Sequence, residues 1–210
     1  MRGNMDISQD DFRNGYLAYQ EKEKRDALYK VATFLVEHFW GKTDDMADSL
    51  GVLLLTWNQA FYRYGPFNFD NLEKCLFENL DLFNSFRTRD ILSNSFEDEK
   101  PIRYLFKQML VALQICEGAK EGNKSPVAVA KALHLLAPAF FPLWDDPISR
   151  AYNCYFLSGK FPEDKYITFM KRMKQIALVV EAYPEVHQPG KTILKLIDEY
   201  NYSKFTKSWI

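Results

Sequence analysis

Residues 125–151 read SPVAVAKALHLLAPAFFPLWDDPISRA, and their punctuation decides the fold. Ser125 can accept from the free amides of a helix's first turn. Pro126 suits the first helical position because its missing N–H is one of those left unpaired there. The apolar run that follows is stopped by Ala137-Pro138, since the residue before a proline is pushed out of helical space. A second start signal stands at Asp145-Asp146-Pro147, with Asp146 read as the cap. The stretch is therefore a helix, a short Pro-containing loop and the opening of another helix.

Working outward, apolar residues recur at three-and-four spacing almost everywhere, and convincing period-2 stretches are absent. The pattern predicts one helix over 16–40, with Leu28, Val31, Phe34, Leu35 and Phe39 on a single stripe, ending at Gly41. A second covers 44–64, with Leu50, Leu53, Leu54, Trp57 and Phe61 on one face, and is broken by Gly65-Pro66. Shorter helices are expected over 71–80 and 87–93, and a longer one over 98–117. After the polar loop GAKEGNKS (118–125) come helices over 126–136, 146–157, 163–181 and 191–202. The expected class is all-α.

At 210 residues, 47% hydrophobic and 26% charged, the chain has room for one domain or two small lobes and is not disordered. No apolar run approaches the roughly 18–20 residues needed to span a bilayer. The N-terminal MRGNMDISQDDF has no apolar signal-peptide core. Cys75, Cys116 and Cys154 form no CxxC pair, which argues against a sequence-local zinc or iron–sulfur cluster and against a disulfide framework. A cytoplasmic protein without membrane contact is expected. Two features are less ordinary. There are 17 Phe, 12 Tyr and 4 Trp, and the net charge of −1 hides an asymmetry. Residues 1–100 carry 12 Lys and Arg against 18 Asp and Glu; residues 101–210 carry 15 against 10. A basic second half keeps an anion-facing surface open despite the neutral total.

The segment PLWDDPISRA (142–151), with the helix before it, resembles the core of the helix-hairpin-helix DNA glycosylase superfamily, which includes endonuclease III and the adenine-mismatch and oxoguanine glycosylases. In that family a hairpin of the type LPGVGxKTA leads into a helix, and a catalytic aspartate follows in a context such as VDxHVxRV or ILDGNVKRV. Asp145 falls on that aspartate, Ile148 on the apolar position and Arg150 on the basic one. LHLLAPAFFPLWD (133–145) is also similar to bacterial sequences of the pattern SKxLHFLNPxLFPIWD. The resemblance covers residues 125–151; LLLTWNQAFYR (53–63) sits where the family has its first DNA-facing helix. Three features depart from the pattern. Asn123-Lys124-Ser125 replace the hairpin glycines, the lysine of bifunctional members falls at Val127, and the cysteine cluster of endonuclease III is missing. Lys131, one turn beyond Val127, shares its helix face.

The resemblance implies two helical lobes around a cleft. One would comprise residues 50–136, with a degenerate hairpin near 117–136, and the other 1–49 together with 137–210. It implies a monomer without cofactor or metal that excises a damaged or modified base from double-stranded DNA. The divergent hairpin points to a modified base of the kind carried by phage DNA. Breaking an N-glycosidic bond develops positive charge on the sugar, which the carboxylate of Asp145 would stabilise. Lys131 would form a Schiff base with the abasic sugar, or simply snorkel from an apolar helix.

Lys124 and Ser125 would meet phosphate through the hairpin, joined by Arg150 and by a basic face of Lys165, Lys171, Arg172 and Lys174, which also reads as a solvated helix surface. Trp57, Asn58, Gln59 and Tyr62 offer groups to fill the gap left by a flipped base and to stack on it. Trp144 would wall the pocket or pack in the core, and His134 would donate a proton or sit satisfied in the interior. The rival reading is a non-catalytic DNA-binding or protein-interaction module that retains the fold.

Overall fold

A computed structural model describes residues 7–157 and 161–210. Residues 1–6, the first half of the segment read as lacking a signal core, lie outside the described residues. The elements in chain order are α1 (Gln9–Lys22), α2 (Ala27–His38), α3 (Thr43–Trp57), α4 (Gln59–Tyr62), α5 (Phe69–Glu78), α6 (Leu80–Arg87), a 3-10 turn (Ile91–Ser93), α7 (Glu99–Ala112), α8 (Pro126–Leu136), α9 (Asp146–Ala151), α10 (Pro162–Val180), a second 3-10 turn (Pro184–Val186), α11 (Ile193–Asn201) and a π-turn (Tyr202–Thr206). No strand occurs among the described residues, so the class is all-α.

α8 forms as its sequence dictates. Ser125 Oγ accepts from the Ala128 amide at 3.2 Å, Pro126 occupies the first turn, and the helix stops ahead of Pro138. Its Ala128, Val129, Ala132, Leu133 and Leu136 are fully buried, because neighbouring helices cover nearly its whole circumference. α7 and α3 pack on it, α2 packs on both α3 and α8, and α5 lies against α3 and α7. The chain ends form a second group: α1 packs on α11 and on the π-turn, and α10 bridges α11 to α7. One continuous apolar cluster, from Ile7 to Tyr200, runs through both groups. The lobe boundary expected at 49/50 falls inside α3. No helix among the described residues is long and apolar enough to cross a membrane.

Several expected helices are divided. The span 16–40 is two helices, α1 and α2, separated by an elbow at 23–26 where Asp26 adopts left-handed backbone with φ 41°. α1 ends with Glu23 as its C-cap, Asp26 stands just before α2, and Asp26 is held by tertiary contacts described below. The expected stripe on α2 is also rotated: Ala32 and Val36 are buried, whereas Leu28, Val31 and Phe34 are exposed. The span 44–64 is interrupted at Asn58, which closes α3 and opens α4. α7 ends five residues before its expected limit at 117, and α9 ends at Ala151, not near 157. The α7–α8 connection lacks glycine just before α8, but Gly118 and Gly122 lie at φ +89° and +79°, so the loop has its left-handed turns elsewhere. The Ile115 amide donates to Asn123 O and the Gly122 amide to Ile115 O, which closes this loop on itself.

Candidate functional site

The carboxyl ends of α1 and α3, the middle of α8, the start of α9 and the face of α11 surround a cavity of about 730 Å³. Asp145 and Lys131 both line it, so two residues singled out on sequence grounds share one space. Asp145 is the N-cap of α9. Its Oδ1 accepts from the Ile148 amide at 2.8 Å, and Oδ2 accepts from the Thr206 hydroxyl at 2.8 Å. The expected roles of the aspartate pair are therefore exchanged with respect to capping, because Asp146 is already the first helical residue and reaches outward to Arg150. Burial raises the Asp145 pKa from the ordinary carboxylate value, while the Ile148 amide, Thr206 and Lys131 pull it back down.

Lys131 emerges from α8 at the level of Trp57. Its ammonium donates to Trp57 O at 2.8 Å and lies 4.9 Å from the centre of that indole ring. Burial holds its pKa down, to about 8, against the opposing pull of Asp145 and Asp198. A lysine in that state presents neutral amine at mildly alkaline pH, the form in which lysine is a nucleophile.

Facing these two is a charged group that sequence reading missed. Lys195, 2% exposed in its side chain, sits 3.0 Å from Asp26 and 3.8 Å from both Asp198 and Glu199. Its ammonium also lies 4.6 and 4.2 Å from the ring centres of Tyr19 and Tyr29. The Tyr19 hydroxyl donates to Asp26 at 3.1 Å. These contacts hold the left-handed elbow and make residues 21–28 one rim of the cavity. A signal existed in LKLIDEY (194–200), where charges interrupt an apolar run at Lys195, Asp198 and Glu199. Spacing alone does not separate such charges from a solvated helix face.

His134 supports this wall from behind. It is fully buried, its Nδ1–H donates to Phe141 O at 2.7 Å, and the Tyr29 hydroxyl donates to Nε2 at 3.1 Å. Burial lowers its pKa to about 4, so it is a neutral structural histidine and not a proton donor at neutral pH. Trp144 both lines the cavity and packs: it stacks on Phe169 at 5.9 Å and meets Phe156 edge-on at 5.3 Å. Its buried Nε1 has no hydrogen-bond partner among the described residues.

The remaining expected residues lie elsewhere. Asn58 donates to Ser125 Oγ at 3.1 Å and thereby ties the α3–α4 break to the start of α8. Gln59 and Lys124 are exposed. Tyr62 is buried with its hydroxyl donating to Leu113 O at 3.0 Å, so it is a core residue and offers no ring to a base. Arg150 is exposed, paired with Asp146 and stacked on Tyr155 at 3.5 Å. The expected basic face on α10 is partly engaged within the molecule, with one ion pair among its four described residues. Lys171 pairs with Glu99 at 2.5 Å, Lys174 donates to Asn94 O at 2.6 Å, and Arg172 is partly buried near Cys154 and Tyr152. Neither Lys171 nor Arg172 lines the cavity.

Among the described residues no group of three or more His, Cys, Asp and Glu is arranged to hold a metal ion. The constellation instead combines a capped carboxylate, a lysine of lowered pKa and aromatic walls. Such a set can stabilise an adjacent positive charge and present an amine nucleophile. No family model, curated protein or solved structure matches the chain.

Proposed function

We propose that this chain is a DNA N-glycosylase that removes a damaged or modified base, with Asp145 stabilising the developing sugar cation and Lys131 capturing it. The single observation that carries the reading is the convergence of Asp145 and Lys131 on one cavity whose other walls include Trp57, Trp144, Tyr19 and Tyr29. A flipped base needs stacking surfaces to offset a few kcal/mol of lost stacking and pairing, and aromatic walls supply them. The carboxylate is fixed by the α9 amide and Thr206, so it need not reorganise as positive charge develops. At about pH 8 half of the Lys131 population is neutral amine, and attack at C1′ would leave a Schiff base after ring opening.

The test is strand cleavage of duplex oligonucleotides bearing a panel of modified bases, assayed with and without alkali, together with borohydride trapping. Wild type should give abasic sites on at least one substrate and a covalent adduct on reduction. Asp145→Asn should lower excision by about 10²–10⁴-fold, and Lys131→Ala should abolish the adduct. An intact fold that yields neither product across the panel would favour the non-catalytic alternative, a DNA-binding or interaction module.

A further inference from the structure

Resting on that reading of the cavity, we infer that Asp198 of α11 is a third catalytic group, which takes the proton from the Lys131 ammonium and passes it to the departing base. Three observations carry this. Asp198 lines the same cavity as Lys131 and Asp145, and α11 supplies it. Its side chain is 13% exposed, so the carboxylate is dry yet reachable from the cavity. Lys195 stands 3.8 Å away, beyond hydrogen-bond distance, because Asp26 holds that ammonium at 3.0 Å. Asp145, by contrast, has each oxygen engaged, by the Ile148 amide and the Thr206 hydroxyl, and is the poorer proton carrier of the two.

The step balances. Lys131–NH₃⁺, whose direct partner is Trp57 O, gives a proton through water in the cavity to the Asp198 carboxylate and becomes the amine. Its lone pair forms the Nζ–C1′ bond as the C1′–N bond of the nucleotide breaks, with the electron pair leaving on the base. The Asp198 carboxylic acid then protonates that base and is a carboxylate again. The net change moves one proton from lysine to base.

The groups facing Asp198 are Lys195 and Glu199 from α11, Asp26 and Tyr19 from the α1–α2 elbow, Tyr29 from α2, Asp145 from α9 and Lys131 from α8. Burial, with the carboxylates among these neighbours, raises its pKa to about 7 against the pull of Lys195. That lies close to the value of about 8 for Lys131, so transfer between them is nearly level. The active form holds one proton on the pair. Excision should therefore follow a bell against pH, with both limbs belonging to the pair and not to either residue.

The experiment measures single-turnover excision against pH, and borohydride trapping on a preformed abasic oligonucleotide, for wild type, Asp198→Asn and Asp198→Glu. A pre-existing aldehyde needs only the amine. Asp198→Asn should therefore keep trapping, with its midpoint moved to lower pH because a negative charge that favours the Lys131 ammonium is gone. Excision by the same variant should fall about 10²–10⁴-fold, and its bell should become a single rising limb. Asp198→Glu should restore part of the rate and the bell. A wild-type profile with no acidic limb, or an Asp198→Asn bell of wild-type height, overturns the assignment while leaving the glycosylase reading intact. Loss of trapping and excision together in Asp198→Asn, unrestored by Asp198→Glu, makes the residue structural and also overturns it. A wild type that neither excises nor traps overturns the parent reading, and this one with it.

Discussion

The ammonium of Lys131 donates to the backbone carbonyl of Trp57 at 2.8 Å and lies 4.9 Å from the centre of its indole ring. One contact thus joins the middle of α8 to the end of α3 and fixes the ammonium in the wall of the cavity that Asp145 also lines. The carbonyl is available because α3 stops at Trp57, with Asn58 as its C-cap. Local helix termination and the position of the amine are the same event.

Lys131 should react as an amine about two pH units below ordinary lysines. Amine-selective labelling followed by peptide mass spectrometry should give half-maximal modification of Lys131 near pH 8, against about 10.4 for exposed lysines. The folded state disfavours the ammonium, so the unfolded chain holds more protons between these values and stability rises with pH across that window. Lys131→Met should accordingly stabilise the protein at pH 7 by about 1–3 kcal/mol, as removal of a strained functional group often does. A destabilised Lys131→Met would show that the Trp57 contact outweighs desolvation.

Asp145 has a capping role separable from its chemistry. Asp145→Ala should cost about 1–2 kcal/mol, because the Ile148 amide and the Thr206 hydroxyl both lose their acceptor. Asp145→Asn keeps an acceptor for the cap and should stay within about 0.5 kcal/mol of wild type in urea unfolding while losing activity. Equal stability losses in both variants would show that the charge, and not the cap, holds this helix start.

Two buried groups should give opposite pH slopes. His134 titrates near 4 in the folded state and about 6.5 unfolded, so its contribution to stability is lost as pH falls through that interval. Asp198 titrates near 7 folded and 3.8 unfolded; its contribution is full below 3.8 and is lost as pH rises to 7. Each is bounded at about 3–4 kcal/mol, and they offset across most of the same range. Thermal unfolding should therefore show a shallow wild-type profile from pH 4.5 to 6.5. Asp198→Asn should expose the His134 slope, with Tm falling steeply toward acid. If the two profiles run parallel, Asp198 is ionised throughout and its buried environment does not raise its pKa.

α1 and α11 meet at a glycine. A Cβ on Gly15 would stand 2.5 Å from Tyr200 Cδ2 and 3.2 Å from Tyr200 Cα, and the backbone of α11 has no room to yield. Gly15→Ala should cost about 1–3 kcal/mol through overpacking, despite alanine's better helix propensity. Chemical denaturation reads this directly; a stabilised variant would mean that the two terminal helices separate easily.

The all-α class and the limits of α8 were legible in the sequence, because three-and-four periodicity, Ser125, Pro126 and Ala137-Pro138 act within one or two turns. Asp145 and Lys131 were singled out through the resemblance carried by PLWDDPISRA and the helix before it, while the capping role was assigned to Asp146; that the two side chains line one cavity is a tertiary fact. Tertiary structure alone decided the rest. The helical pattern over 16–40 gave no warning of the break at Asp26, since that break depends on Lys195 and Tyr19 binding the carboxylate from elsewhere. The buried face of α2 was misread because its more apolar stripe, Leu28, Val31 and Phe34, is the one left exposed, while small Ala32 permits close approach to its neighbours. Asp198 became a candidate only when α11 folded against the cavity. A titratable group acquires its chemistry from what surrounds it, and for Asp198 those surroundings come from α1, α8, α9 and the elbow, which sequence spacing does not encode.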